Sequence, residues 1–465
     1  MSHVVIVGGG MSGLAAAYRL HKLDPAIKLT LIEREERLGG KILTDTLNDF
    51  VIEGAPDSFL ARKPRGVGLC EELGIADQLY GRDPRHAKTF VKFDGALYPL
   101  PSGLSGMIPT NLDALANNPL ISPAGKERLA QEMMLPPLPK TADNDDESVA
   151  SFVSRRLGRE VYEKLVEPLM SGIYAGDGEQ LSLAATFPQL RQVELKHGSL
   201  LKGLTATPEP AATAQKYPPF VSLRGGMATL VNAILQQVPT DAIVTGRAVS
   251  AINYDRGQYR IAFDNDAVLD ADALILTTPA FATARLLEPI DAPLAAAHAA
   301  IPYASSAIVT LAYEQGATPS PEGYGYVIPR IANSDVLACT ISSNKWHGRA
   351  PEQCLLVRVY LGHYGQRDVT QDSDAELLAL AQQEVAETLD LTTTPSFHRI
   401  YRWPLSMPQY TLGHLDRLAQ INACLPDNPG LFLAGAAYRG VGIPDCIREG
   451  EDAAQAAVMY LNQVA

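Results

Sequence analysis

The chain has 465 residues, 46% hydrophobic and 20% charged, with a formal net charge of -13. That length exceeds what one core fills and implies two or three domains, while the acidic balance excludes non-specific binding to nucleic acid or to an anionic membrane. Five cysteines (Cys70, Cys339, Cys354, Cys424 and Cys446) without a CxxC pair, and nine histidines without an HExxH-like cluster, exclude a disulfide framework and give the expectation of no metal.

Residues 4–7, Val-Val-Ile-Val, read as a short buried strand, residues 14–20 as a helix and residues 28–32 as the next strand. Strand, tight turn, helix, strand is the unit that builds parallel sheets. From 105 to 215 helical stretches at 125–134 and 148–170 alternate with proline-rich breaks at 136–139 and 205–219, and 143–147 is an acidic, solvated loop. Short strands return between 221 and 289, at 242–245, 248–254, 259–263 and 273–277. A second sheet is expected over 300–363, with strands at 307–313 and 355–361, followed by an amphipathic helix at 374–389. Residues 430–435 form a last buried strand, and a helix from about 445 to 462 follows. No signal-peptide pattern precedes Val4, and no apolar run reaches the roughly 20 residues of a membrane span. A protein of the cytoplasm is expected.

Gly8-Gly9-Gly10-Met11-Ser12-Gly13 fits G-x-G-x-x-G between the first strand and the first helix. Gly8 permits the tight turn, Gly10 lets the backbone approach a pyrophosphate, and Gly13 allows close packing of helix on sheet. The helix N-terminus then offers N–H groups to the phosphates. Glu33, at the end of the next strand and followed by Arg34, stands where an acid accepts ribose hydroxyls. Near the other end, Gly435-Ala436 and then Gly440-Val441-Gly442-Ile443 open the last helix, a second glycine-rich turn offering N–H groups to an anion.

Between these lies Arg37-Leu38-Gly39-Gly40-Lys41. It resembles the double-glycine segment of the large FAD family that includes amine oxidases and phytoene desaturases. Four further segments resemble the protoporphyrinogen/coproporphyrinogen oxidase family of haem biosynthesis: Glu53-Gly54-Ala55-Pro56-Asp57-Ser58-Phe59; Leu97 to Gly103; Pro408-Gln409-Tyr410-Thr411-Leu412-Gly413-His414; and Ala434-Gly435 through Ile447. The likeness extends over nearly the whole chain.

The resemblance implies an α/β and α+β fold in three parts. A Rossmann-like FAD-binding domain would comprise 1–75, 220–290 and 395–465, a mixed-sheet substrate domain 76–104 and 291–394, and a helical domain 105–219. It implies a six-electron, oxygen-dependent oxidation of a porphyrinogen, with hydrogen peroxide as by-product. Coproporphyrinogen III is favoured over protoporphyrinogen IX. FAD would be held by Gly8–Gly13, Glu33, Arg34, Gly39, Gly40, Lys41, Gly54, Ala55, Pro56, Asp57, Val249, Gly435, Ala436, Val441, Gly442 and Ile443. The flavin carries the chemistry, so no catalytic triad is expected.

For the substrate, the resemblance gives Gly172 as an orienting backbone group, although a turn could equally require that glycine. Arg62, Lys63 and Lys345 are candidates for propionates, and Trp346 and Tyr360 for the flat macrocycle. Where some members carry a propionate-binding arginine, this chain has Thr89 beside Lys88. Trp403 is expected near the flavin and His414 as a structural histidine. The helical part could touch a membrane surface, and a homodimer is allowed. An amine oxidase or carotenoid desaturase, and a flavin-free binder of a prenylated protein, are the competing readings.

Overall fold

The computed structural model describes residues 2–139, 146–206, 216–314, 316 and 323–464. Part of the expected acidic loop (143–145) and most of the expected break at 205–219 lie outside them.

Five parallel strands form the first sheet, in the order Ile243–Val244, Lys28–Ile32, His3–Val7, Ala273–Leu276 and Leu431–Leu433. All five residues of His3–Val7 are buried, as a central parallel strand covered on both faces must be. One face packs on the helices Met11–Leu23 and Ile443–Val464. The other packs on Ala280–Leu287, Ala292–Ala299 and His414–Cys424. Of these, Ala280–Leu287 falls in a region read from sequence as mostly strands. Ser12 and Gly450 bring the first and last helices into contact: a Cβ on Gly450 would lie 2.1 Å from the Ser12 carbonyl oxygen.

The second sheet has seven strands, ordered Phe397–Pro408, Tyr303–Tyr313, Leu355–Leu361, Val336–Ile341, Gly325–Val327, Thr89–Phe93 and Ala96–Pro99. It is antiparallel except between Gly325–Val327 and Thr89–Phe93. The helix Asp374–Leu389 covers one face, started by a Ser373/Glu376 capping box. The other face meets the hairpin Thr44–Leu47/Phe50–Glu53. Residues 397–408, grouped with the FAD-binding part on sequence, are therefore an edge strand of this sheet. The edge is interrupted by a bulge opposite Ser305, where Leu405 takes a positive φ of 43°.

The region 105–206 is helical, as its pattern indicated, but the stretch read as one helix over 148–170 is not continuous. Val149–Leu157 ends at Gly158, whose φ is 98°. After Arg159–Val161 comes a π-helical turn, Tyr162–Val166, and then Glu167–Tyr174. Pro168 has no N–H to continue an α-helical ladder, and the wider turn before it accommodates that loss. The region has its own core around Phe152, Leu165 and Met170, which also takes in Tyr410 from the C-terminal part.

Candidate functional site

Residues 8–13 pass from the first strand to the first helix. Gly8 has φ 110° and donates its N–H to Ile32 O at 2.8 Å. A Cβ on Gly13 would sit 1.8 Å from Gly8 O, so that position admits no side chain. Gly10 differs, for a Cβ there meets nothing within 4 Å. Gly10 is also the N-cap of Met11–Leu23, and no side chain caps that helix. No acceptor for the amides of Met11, Ser12 and Gly13 is found among the described residues.

Glu33 closes the second strand. Its carboxylate accepts from Gly9 N at 2.7 Å and from Glu35 N at 3.0 Å, which fixes both oxygens while leaving each able to accept again. Arg34 is exposed and pairs with Glu35. Val249 starts a strand two residues after Arg247, whose N–H bonds Glu33 O, so it lies on the same side of the sheet end. Gly39 pairs with Gly10, and Gly40 (φ 57°) approaches it so closely that its Cβ would be 3.0 Å from Gly10 Cα. Lys41 follows. Burial lowers its pKa, and the one electrostatic neighbour acting on it is Cys446, whose own pKa burial pushes up to about 11. Lys41 is half-buried, and an ammonium drawn partly out of water with no carboxylate partner among the described residues is a good anion ligand.

The C-terminal turn completes this ring. Gly435 and Gly440 both have φ 139°, and a Cβ on Gly440 would lie 2.4 Å from the Asp445 carboxyl carbon. The first turn of Ile443–Val464 begins at Ile443, directly after Val441 and Gly442. Ala436 and Gly440 are both bonded to the Tyr410 hydroxyl.

Gly54 to Asp57 lie in the seam between the two sheets and are fastened from the seven-stranded side. Trp403 Nε1 donates to Gly54 O at 2.8 Å, and Arg358 donates to Ala55 O at 2.5 Å. Pro56 follows, half-buried. Lys345 Nζ and Trp346 Nε1 donate to Asp57 Oδ2 at 2.8 and 3.0 Å. Burial alone would raise the Asp57 pKa; Lys345 and Arg358 overcome it and hold the carboxyl well below the usual range. Arg349 bonds Ser222 Oγ at 2.7 Å and pairs with Glu53 at 2.9 Å in the same seam. The sequence reading missed Arg349 and Arg358. Arg358 had a signal: it interrupts Leu-Leu-Val-Arg-Val-Tyr-Leu, an otherwise apolar strand.

The substrate candidates fare unequally. Trp346 is 0% exposed, with its indole edge-on to Tyr80, so it presents no face to a macrocycle. Its role is to fix Asp57. Lys345 is committed to the same carboxylate. Lys63 is paired with Asp445 at the start of the last helix, and Arg62 is exposed, with no ion pair among the described residues. Tyr360 is half-buried beneath Arg358, 5.1 Å from its ring centre. Lys88 is exposed, and Thr89 begins a strand of the second sheet. Gly172 lies inside Glu167–Tyr174, not in a turn; it is exposed, and a Cβ would meet nothing within 4 Å. No backbone N–H among the described residues bonds its carbonyl, because the helix ends at Ala175 in the left-handed region (φ 49°). The turn requirement is thereby removed as the reason for this glycine. His414 is structural, as expected: Nε2 donates to Tyr438 O at 3.1 Å, and burial takes its pKa down to about 4.

An uncapped helix N-terminus, an open glycine, a paired-up acid and a half-buried lysine with no carboxylate partner among the described residues match the phosphates and ribose of a dinucleotide. The residues present therefore fit FAD. Among the described residues no group of three or more His, Cys, Asp or Glu is placed to hold a metal ion.

Residues 11–458 match the family model described as flavin containing amine oxidoreductase. The coproporphyrinogen III oxidase of Bacillus subtilis is 37% identical, over 99% of this chain and 98% of that protein. Human protoporphyrinogen oxidase is 32% identical over 97% of each chain. A crystal structure described as a candidate protoporphyrinogen oxidase from Exiguobacterium superposes with a TM-score of 0.89, at 33% identity and 99% of both chains.

Proposed function

The chain belongs to the flavin containing amine oxidoreductase family and, within it, to the group of coproporphyrinogen III and protoporphyrinogen oxidases; from that premise we propose that it oxidises coproporphyrinogen III to coproporphyrin III. It is an oxidoreductase and its cofactor is FAD. The observation that carries the substrate is the full-length likeness to coproporphyrinogen III oxidases, the first of them at 37% identity. Protoporphyrinogen IX is the second reading, favoured by the 32% identity to the human enzyme.

Bound FAD would supply the two-electron acceptor for hydride from the macrocycle's bridge carbons, with oxygen as its oxidant and hydrogen peroxide as by-product. The residues of this chain do the holding. Gly10 and the amides of Met11–Gly13 receive the pyrophosphate, Lys41 adds a charge, and Glu33 takes the ribose. Gly39 and Gly40 keep the backbone close enough for that approach. Val249 would lie against the adenine. Gly54–Asp57, fixed from behind by Trp403, Arg358 and Asp57's own partners, would hold the flavin together with Gly435, Ala436 and Val441–Ile443. Val441 to Ile443 offer N–H groups where negative charge gathers on reduction.

The unpaired Gly172 carbonyl accepts from pyrrole N–H groups and orients the macrocycle, with open space that a side chain would fill. Tyr360 and Arg62 remain the candidates for the ring and a propionate. A helix long and apolar enough to cross a membrane is not found among the described residues; we place the protein in the cytoplasm. The purified protein, loaded with FAD in air, is expected to convert coproporphyrinogen III faster than protoporphyrinogen IX by porphyrin fluorescence. The opposite order assigns protoporphyrinogen IX, and no turnover of either removes the oxidase reading.

A further inference from the structure

The segment 434–442 has no regular secondary structure. Among the described residues, the side chains that hydrogen-bond its backbone from 436 to 440 are those of Tyr410, His414 and Arg448. Two of the three come from one short stretch. The Tyr410 hydroxyl donates to Ala436 O at 2.6 Å and accepts from Gly440 N–H at 2.8 Å, spanning the turn as a cross-brace. His414 Nε2 donates to Tyr438 O at the turn's crest, and its ring stacks on that of Tyr410 at 4.1 Å and 12°. Tyr410 is 1% exposed and His414 0%, so both side chains are held in the interior, with the Ala436 and Gly440 ends of the Tyr410 bonds half-buried.

The same stretch is sewn to the helical part on its other side. Tyr410 O accepts from Ser182 N at 2.8 Å, and Leu412 N donates to Gln180 O at 2.8 Å. Gln409 Nε2 donates to Tyr174 O at 2.8 Å, two residues beyond Gly172. Gly176 has no side chain because one would lie 2.6 Å from Gln409 Oε1. Residues 409–414 thus form one rigid piece touching both the C-terminal turn and the helix end that carries Gly172.

We propose that Tyr410, supported by His414, is a positioning residue that sets the C-terminal turn 435–442 for FAD and registers it against Gly172. The proposal rests on the reading of that turn as part of the flavin site. It divides the stretch: the Tyr410 phenol acts on the cofactor, whereas Gln409 acts on the substrate side. A phenylalanine at 410 keeps the ring and the stack but takes from Ala436 O and Gly440 N–H, both half-buried, the hydroxyl that joins them.

The test compares full-length wild type, Tyr410→Phe, His414→Gln and Gln409→Met, each stripped of FAD and titrated with it by flavin fluorescence. Flavin reduction potentials are then measured on the loaded proteins. Tyr410→Phe is expected to weaken FAD binding about tenfold. A tenfold greater loss on the reduced form lowers the two-electron potential by about 30 mV. Gln409→Met is expected to keep the wild-type FAD affinity and potential while raising KM for the porphyrinogen. His414→Gln, which can still reach Tyr438 O but loses the stack, shifts FAD affinity in the same direction by less, and serves if the Phe variant does not fold. Wild-type affinity and potential in whichever of the two variants folds overturns the proposal with the flavin reading intact. So does an equal loss in Gln409→Met. Wild type that takes up no FAD overturns both.

Discussion

Gly10 and Gly13 lie three residues apart in one motif, yet the structure gives them opposite burdens. At Gly13 a methyl group would lie 1.8 Å from Gly8 O and 2.9 Å from Thr277 Oγ1, both held by the sheet. Backbone must move, and overpacking of this kind costs about 1–3 kcal/mol or more. Gly13→Ala is therefore expected to lower the melting temperature of the protein even without cofactor. At Gly10 the methyl enters open space, and φ -73° with ψ -176° suits any residue. Alanine at an N-cap costs under about 1 kcal/mol relative to glycine, so the apoprotein of Gly10→Ala should melt close to wild type. FAD should nevertheless bind it at least tenfold more weakly, about 1.4 kcal/mol, because the methyl occupies the approach of the phosphate oxygens. The assays are circular-dichroism melts of both apoproteins and FAD titration of each. A Gly10→Ala protein that binds FAD like wild type, or a Gly13→Ala apoprotein as stable as wild type, refutes the division of labour drawn here.

Four further outcomes follow from the same geometry. Glu33→Gln keeps only one acceptor oxygen for Gly9, Glu35 and the ribose, and FAD affinity should fall about tenfold in the same titration. Asp57→Asn leaves Lys345 and Arg358 buried against an amide, and urea unfolding should show a loss of about 3–5 kcal/mol; a loss below 1 kcal/mol contradicts the seam as described. Because the folded Asp57 pKa is depressed, its stabilisation is present above about pH 4 and disappears as the pH falls further; the Asn variant should lose that part of the acid sensitivity. Burial lowers His363 and His414 to about 4, so both stay neutral in the fold. Their contribution is full above about pH 6.5 and declines as pH falls towards 4, and melts at pH 7 and pH 5 should differ by several degrees. Gly172→Ala should fold and bind FAD normally yet lose about tenfold in kcat/KM for the porphyrinogen, about 1.4 kcal/mol; unchanged kinetics would remove Gly172 from the site.

The parts of this molecule readable from sequence are those whose cause is local. The strands Lys28–Ile32 and Leu355–Leu361 and the helix Asp374–Leu389 begin and end where their apolar pattern does. The Ser373/Glu376 box marks the start of that helix within four residues. The glycines of 8–13 declare a backbone requirement that the observed clashes confirm at Gly13. The interruption of 148–170 was hidden because Gly158 and Pro168 are each tolerable in a helical pattern, and the π turn joining them answers to both. Residues 397–408 were misgrouped because strand pairing is a long-range choice; their partner, Tyr303–Tyr313, lies almost a hundred residues earlier. The Trp346 assignment failed for a related reason. An indole suits a macrocycle and a core alike, and only the position of Asp57, far away in sequence, decides between them.

The first sheet joins strands from widely separated parts of the chain: Ala273–Leu276 pairs on one side with His3–Val7 and on the other with Leu431–Leu433. Until residues 431–433 are made, Ala273–Leu276 presents an open parallel edge. Until Ile443–Val464 is made, the apolar side of Met11–Leu23 around Ala15 and Ala16 has no cover. During synthesis the glycine turn at 8–13 thus waits on the ribosome for some four hundred residues before its far wall exists. On the proposed reading of that turn, FAD capture follows completion of the chain. Growing chains stalled after about residue 300 carry an exposed strand edge and bare helix face together, the combination most prone to aggregate or to recruit a chaperone.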